Sequence, residues 1–558
     1  MIRSVWSIVR YQMSLFRGNL LQATLNTLVG VALVTLDLLF VWGTKRSIDV
    51  ATHHVEGVTL QQALLVILAI MLLRVALGVS ARWIRAVLGV RAQNAMRQRI
   101  FARLLSARWS DLRRYHSGDL TNRLERDVTD VVLFISESVP TFLTTCLQFV
   151  GAFAFLYYMD STLALIIVCV VPFFVLSSKL YMRRMRVLAH DRRNIESRVQ
   201  AIVQETLQHV LVVKLLQKIP HFQRVLAGEQ AALYRCTLKS TRYATVSSSL
   251  LNIGFSIGYF ISFAWGVYSL STAAITYGAM LAFIQLVGQI QGPVRSLSKF
   301  VPVFISSFTA TERLMDLEGM KREDMEKGGL LPVPLGLDVR HVSFSYAPGE
   351  CPVFEDFSCK IPPGSVTVIL GETGSGKTTL VRLLLALHAP QKGCVTLFDA
   401  KGDTFGTSAS TRCNFAYVPQ GNTLFSGTVR SNLQLGDPKA TEDQMREALH
   451  TAAADFVFEK EKGLDAPCGE SGDGFSEGQS QRIAISRALL SARGGVLIFD
   501  EATSALDEET ERVVLQRVVG RYHDRTLIFV THRCEVLKYA DQCIDLNRCA
   551  KASAVGIL

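Results

Sequence analysis

The chain has 558 residues, 49% of them apolar and 19% charged, with a mean hydropathy of +0.27 and a formal charge of +11. That balance excludes disorder and small disulfide-stapled scaffolds, and the length calls for two or more folding units. The charge divides unevenly: residues 1–330 hold 36 Lys+Arg against 20 Asp+Glu, while 331–558 hold 23 against 28. Basicity that accompanies the long apolar runs is explained by membrane topology, so no nucleic-acid partner is expected.

In chain order, the N-terminal stretch is basic (Arg3, Arg10, Arg17) and lacks a small-residue cleavage site, which reads as a retained segment rather than a signal peptide. A spanning helix needs about 20 mostly apolar residues. Six candidates follow, near Leu20–Val41, Leu60–Val79, Val139–Tyr158, Leu163–Leu180, Leu250–Leu270 and Ala273–Gly292, the last broken by Gln285, Gln289 and Gln291. The N-tail and the segments 80–138 and 181–245 carry 3, 11 and 12 Lys+Arg, whereas the alternate loops carry only Lys45 and Arg46. By the positive-inside rule both termini are expected to be cytoplasmic, and a multi-pass integral protein of a bacterial cytoplasmic (inner) membrane, in contact with lipid, is the expectation. The inner connections have helix-forming composition, and two legs of roughly 25 residues each would reach on the order of 40 Å. Two ionisable residues lie inside spans, Asp37 and Arg74. Depth argues against pairing them, since Asp37 is near the outer end of its span and Arg74 about 14 residues, ~21 Å, inward. Snorkelling of Arg74 and a polar cavity or a substrate for Asp37 are the readings left open.

From about Leu337 the pattern changes to short β-branched runs between Gly-rich turns and helical stretches, an α/β unit. The expected strand Val366–Leu370 leads into Gly371-Glu372-Thr373-Gly374-Ser375-Gly376-Lys377-Thr378, followed by Thr379 and a helical run over Leu380–Leu387. This is a phosphate loop in its proper strand-to-helix setting. Its glycines let backbone N–H groups close on phosphate oxygens, Lys377 adds a point charge and Thr378 offers a hydroxyl to Mg²⁺. A second strand, Val496–Phe499, ends in Asp500-Glu501. An acidic pair at a strand end is commonly a solvated loop, but with a phosphate loop earlier in the chain Asp500 suits Mg²⁺ and Glu501 suits polarising an attacking water. The eleven cysteines form no C-x-x-C pair and no cluster at metal-ligand spacing, as in a reduced cytosolic setting.

Phe475-Ser476-Glu477-Gly478-Gln479-Ser480-Gln481-Arg482 resembles the signature sequence of ATP-binding cassette (ABC) proteins. Within that resemblance, Tyr346 is similar to the aromatic that stacks on adenine, and Gln420 to the glutamine of the loop that senses Mg²⁺ and contacts the membrane domain. Asp507, in Ser504-Ala505-Leu506-Asp507, is similar to the aspartate of the loop after the catalytic glutamate, and His532 to the histidine that reads the γ-phosphate. The resemblance implies catalytic Glu501 and His532. Nucleotide contacts would come from Tyr346, Gly371 to Thr379, Gln420, Ser476, Gly478, Gln479 and Asp507, and Mg²⁺ would lie near Thr378, Gln420 and Asp500. The membrane half resembles the exporter class, in His116-Ser117-Gly118-Asp119-Leu120 with Arg123 and Asp127, in Glu205 through Lys214, and in Thr311-Glu312-Arg313-Leu314.

The expected fold is therefore multi-domain: an all-α six-helix transmembrane domain (1–320), a linker (321–336) and an α/β P-loop NTPase domain (337–558). Six spans with one cassette resemble a half-transporter, which implies pairing with a second chain, with each ATP held between the phosphate loop of one and the signature of the other. An ATP-hydrolysing homodimeric exporter of a hydrophobic small molecule, lipid or peptide is the leading expectation. Half of a heterodimer, an ATP-gated protein and an importer with the exporter fold are the alternatives. The sequence departs from the family at Glu477, where glycine is common, at Ser471 in Cys468-Gly469-Glu470-Ser471-Gly472, and after Asp545, where a final strand pair and helical tail are usual.

Overall fold

The computed structural model describes residues 5–15, 20–54, 57–323, 329–347, 349–469, 474–491, 494–533 and 535–547, less the side chains of residues 5, 15, 20–23, 171–186, 298, 299 and 301. Two compact units result, Met1–Ala102 with Ser117–Glu318, and Arg103–His116 with Gly319–Leu558. Glu470, Ser471 and Gly472 and the tail from Arg548 fall outside the described residues.

The first eleven helices are α1 (Val5–Leu15), α2 (Leu20–Ala51), α3 (Leu60–Leu105), α4 (Trp109–Leu112), α5 (Ser117–Asn122), α6 (Val128–Leu133), α7 (Val139–Met159), α8 (Ser161–Gln208), α9 (Val210–Leu215), α10 (Ile219–Ser271) and α11 (Tyr277–Glu318), of which α4 belongs to the second unit. Among the described residues, Thr24–Ala51, Leu60–Leu105, Ser117–Met159 and Ile219–Ser271 are long and apolar enough to cross a membrane, and Ser161–Val170 is a shorter apolar stretch. Ser117–Met159 runs through π-helical turns at Arg123–Asp127 and Phe134–Ser138. The sixth expected span starts later than its apolar run, because Thr272–Thr276 is non-helical and α11 begins at Tyr277. With 48 and 53 residues, α8 and α10 extend roughly 70–80 Å, far beyond a hydrocarbon core.

Polar residues at the turns fix the helix ends. Asp160 caps α8 by accepting from Leu163 N (2.9 Å) and also receives Trp265 Nε1 (2.8 Å), tying α10 to the α7–α8 turn. Asp49 Oδ1 accepts from Gly278 N at 3.2 Å, and a Cβ on Gly278 would lie 2.3 Å from Lys45 O, so only glycine allows α2 and α11 this close. Leu156, Leu163, Ile167, Phe283, Leu286 and Ile290 fill the core between these helices.

The expectation that Asp37 and Arg74 do not meet is corrected: Arg74 Nε lies 2.7 Å from Asp37 Oδ1. Helix α2 continues ten residues past Val41, so Asp37 lies 14 residues from the Ala51 end, and Arg74 lies 14 residues from the Leu60 start of α3. Equal distances from the joining turn put the two at one level of an antiparallel hairpin.

In the second unit the segment 103–116 is stitched to the chain after α11. Ala107 bridges Arg322, Arg108 N donates to Lys321 O (3.0 Å) and Glu323 N to Ser106 O (2.8 Å). Arg412 grips the Glu323 carboxylate with both terminal nitrogens (2.5 and 3.0 Å) and donates to Leu385 O and Ala386 O. The strands are β1 (Leu335–Phe344), β2 (Phe354–Ile361), β3 (Val366–Leu370), β4 (Lys392–Asp399), β5 (Thr404–Gly406), β6 (Phe415–Val418), β7 (Gly427–Thr428), β8 (Pro467–Cys468), β9 (Val496–Asp500), β10 (Thr526–Val530) and β11 (Gln542–Asp545). Between them run α12 (Lys377–Leu384), α13 (Val429–Gln434), α14 (Glu442–Thr451), α15 (Phe456–Glu459), α16 (Glu477–Ser491) and α17 (Glu508–Arg521). The expected helical run to Leu387 stops earlier, because Ala386 turns to φ 50°.

An antiparallel sheet, β2-β1-β4-β5, and an all-parallel sheet, β11-β3-β10-β9-β6, form the framework, with β7 and β8 as a small pair. Strands β9 and β10 are buried at every position, as unbroken apolar runs in a helix-covered parallel sheet should be. Because β10 lies between β3 and β9, the loops after all three emerge side by side at one edge, the usual ligand side of an open α/β sheet.

Candidate nucleotide-binding and hydrolysis site

The phosphate loop leaves β3 and enters α12 through Gly374 (φ 91°) and Gly376 (φ 95°), conformations that glycine adopts without strain. A Cβ on Gly376 would lie 2.9 Å from both Phe354 and Val353, whereas one on Gly374 would meet nothing within 4 Å, so Gly374 borders open space. Glu372 N donates to Asn547 Oδ1 (3.0 Å) and Ser375 N to Glu372 O (3.1 Å), which holds the loop's entry, and Gly371 packs against Ser375. Lys377 Nζ folds back onto Gly371 O (2.6 Å) and Glu372 O (3.1 Å), and the shielded Ser375 Oγ has no hydrogen-bond partner among the described residues. A half-satisfied ammonium and an orphan hydroxyl at a helix N-terminus fit phosphate oxygens. Thr373 and Thr378 lie in the same turn, Thr378 at the second position of α12.

The acidic pair ends β9. Asp500 is buried and its Oδ2 accepts from Tyr417 OH at 3.1 Å; burial holds the Asp500 carboxyl above its ordinary range. Burial beside that carboxyl also pushes the Tyr417 phenol up. Glu501 takes φ 49°, a left-handed conformation uncommon for a non-glycine residue, while its N–H donates to Val530 O (2.8 Å). Its carboxylate accepts from Gln420 Nε2 at 2.7 Å and lies 3.8 Å from His532 Nδ1. Gln420, Glu501 and His532 stand one or two residues beyond the ends of β6, β9 and β10, so the parallel register brings them together.

Tyr346 follows β1 and packs edge-on with Phe344 and His388. Its hydroxyl is within 2.8 Å of Thr379 Oγ1 and 3.3 Å of Arg382, and the Arg113 guanidinium lies over its ring at 5.1 Å. The aromatic face is thus partly taken by a cation.

The signature turn begins α16 with reciprocal capping: Gln479 N donates to Ser476 Oγ (3.2 Å) and Ser476 N to Gln479 Oε1 (3.1 Å). A Cβ on Gly478 would lie 2.8 Å from Ala505 O, and Gln481 bridges to Ser504 and Ala505, so this turn packs on the loop after Glu501. Asp507 caps α17 through Thr510 N (3.0 Å), which holds its carboxyl below the ordinary range.

Several contributors escaped the sequence reading. Buried Glu511 accepts from Thr503 Oγ1 (2.6 Å) and Arg533 (2.6 Å), and Arg533 also donates to Ser504 O and Leu506 O. This network binds the loop after Glu501 to the residue after His532. Tyr417 and Arg382 carry no local sequence signal, and Arg113 reads from sequence only as one of the basic residues of an inner connection, because the partners that place them, Asp500 for Tyr417 and Tyr346 for both arginines, are distant in sequence.

The family profile described as the ABC transporter transmembrane region matches residues 24–294, and that described as ABC transporter matches 354–504, together 422 of 558 residues. Proteins of Staphylococcus aureus strains NCTC 8325 / PS 47 and COL, whose names assign them to multidrug export as ATP-binding/permease proteins, are each 28% identical over 434 residues, 77% of this chain and 75% of theirs. A bacterial Atm1-family ABC exporter solved with ATP bound shares the fold, with a TM-score of 0.78 and 22% identity over 96% of this chain and 94% of that one. With a helical membrane region and a cassette carrying the phosphate loop and signature in one polypeptide, this chain belongs to the ABC transporter family as an integral-membrane half-transporter of the exporter type.

Proposed function

We propose that two copies of this chain form an ATP-hydrolysing exporter that moves a hydrophobic small molecule, lipid or peptide across the bacterial cytoplasmic membrane by alternating access. In this reading residues 1–320 are the membrane domain, 321–336 the linker and 337–558 the cassette, with both termini cytoplasmic. The observation that carries it is the meeting of Gln420, Glu501 and His532 at the strand edge that also bears the phosphate loop.

The chemistry assigned to each residue follows from its surroundings. Lys377 exchanges the Gly371 and Glu372 carbonyls for phosphate oxygens, and Ser375 and Thr379 add hydroxyl donors. Tyr346 leaves Thr379 to stack on adenine. The Thr378 hydroxyl, Asp500 and Gln420 would hold Mg²⁺, whose charge neutralises phosphate oxygens when bound. Glu501, oriented by Gln420, accepts a proton from the attacking water, and His532 donates toward the terminal phosphate. Ser476, Gly478 and Gln479 of one copy complete the site of the other, supported by the preformed N-terminus of α16. The long α3, α8, α10 and α11 would convey cassette closure to the spans as a rigid-body change.

The test is Mg²⁺-dependent ATP hydrolysis by the chain alone in lipid nanodiscs, with Glu501→Gln as the matched blank. Turnover abolished by the substitution, with ATP binding retained, is the expected result. Folded protein that binds ATP without turning it over would shift the assignment to a heterodimer or to ATP gating.

A further inference from the structure

Strand β6 serves both members of the acidic pair that ends β9. Gln420, two residues past the strand, donates to Glu501 at 2.7 Å, and Tyr417, within it, donates its hydroxyl to Asp500 Oδ2 at 3.1 Å. Among the described residues no other side chain hydrogen-bonds the buried Asp500 carboxylate, so one oxygen is tied to β6 and the other is left without a side-chain donor.

The ring that delivers the hydroxyl is itself fixed. Tyr417 lies opposite Ile498 in the parallel β6–β9 register and packs on the core that holds Leu380, Leu384 and Ile498. A phenol already held at its ring needs little further ordering to keep its hydroxyl in place. Burial beside the carboxylate pushes the phenol up, so the proton stays on the Tyr417 oxygen and the hydroxyl remains a donor. The charges that act on Asp500 are Lys377 and Arg382, which favour its ionised form, and Glu501, which opposes it; the Tyr417 hydrogen bond works with the two cations against burial. A carboxylate that must hold a cation depends on such a partner for both its charge and its orientation.

We propose that Tyr417 is a positioning residue for the metal end of the hydrolysis site: its hydroxyl pins Asp500 Oδ2 so that Oδ1 is the oxygen offered to Mg²⁺. One strand thereby sets the metal-side carboxylate through Tyr417 and the water-side carboxylate through Gln420. The inference rests on the ATPase reading above and adds a residue to it.

The experiment uses the full chain in nanodiscs in the Glu501→Gln background, where binding is scored without turnover, with Mn²⁺ as the metal probe. ATP affinity is measured by calorimetry twice, with EDTA and with excess Mn²⁺, and the ratio is the metal's contribution. Tyr417→Phe keeps the packed ring and removes only the hydroxyl. It should leave the affinity with EDTA within about twofold and weaken that with Mn²⁺ about tenfold or more, as loss of a hydrogen bond that orients a metal-holding carboxylate does. In the Asp500→Asn background, where no buried charge depends on the hydroxyl, Tyr417→Phe should change the Mn²⁺ affinity less than about twofold. Unchanged binding with Mn²⁺ would overturn the proposal, and so would equal weakening with EDTA and Mn²⁺, which would mark a merely structural role. A tenfold loss that persists in the Asp500→Asn background would overturn it too, because the hydroxyl would then act elsewhere. Failure of the ATPase reading would appear separately, as basal hydrolysis indifferent to Glu501→Gln.

Discussion

Removing the Glu511 carboxylate should loosen the loop that carries Glu501. The carboxylate is 1% exposed, accepts at 2.6 Å from both Thr503 and Arg533, and keeps Arg533 aligned with the carbonyls of Ser504 and Leu506. Breaking a buried ion pair from one side costs about 3–5 kcal/mol. Because Arg533 is 29% exposed, water compensates part of that, bringing the ionic share to about 2 kcal/mol, and truncation of the buried side chain adds about 1 kcal/mol. Glu511→Ala should therefore cost about 3 kcal/mol, which is a loss of roughly two orders of magnitude in exchange protection where exchange follows cassette opening. Hydrogen–deuterium exchange of peptides covering β9 and β10 in nanodisc-embedded protein reads this directly, since all five Trp residues lie in the first 320 positions and Trp fluorescence would miss most of the cassette. The paired change Glu511→Leu with Arg533→Met should recover much of the protection. Less than a tenfold change in Glu511→Ala would refute the reasoning.

Three further outcomes are expected. Burial holds the Asp500 carboxyl above its ordinary value, so its contribution to stability is fully present below the unfolded carboxyl's pKa and is lost as pH rises through the raised value; Asp500→Asn should melt higher than the parent at neutral pH and flatten the curve on the acid side while losing Mg²⁺-dependent hydrolysis, and a lower melting point at neutral pH would contradict this. Arg113→Ala should tighten ATP binding about two- to fivefold by freeing the Tyr346 ring from a contact of about 0.5–1 kcal/mol, measured by calorimetry in the Glu501→Gln background, and unchanged or weaker binding would show that Arg113 does not compete with the base. Gly376→Ala forces a Cβ to 2.9 Å from Phe354 and Val353 at φ 95°, and should cost at least about 1 kcal/mol in melting experiments and abolish nucleotide binding, whereas retained ATP affinity would mean that the loop does not need this turn.

Sequence alone was enough for whatever is encoded locally. The phosphate loop, the acidic pair ending an apolar strand and the capped turn at Ser476 each need only consecutive residues and a backbone conformation those residues prefer. Strand β3 spans Val366–Leu370 as its apolar run predicted, and the apolar lengths and basic loops announced a membrane protein. Contacts between distant segments were another matter. Depth counted from the end of an apolar run separated Asp37 from Arg74, and only the helix that continues to Ala51 set them level. Tyr417 on Asp500, Glu511 on Arg533 and Arg113 over Tyr346 likewise depend on sheet order and chain path, because a side chain's partner is chosen by what the fold brings within a few ångströms, and periodicity along one segment carries no information about that.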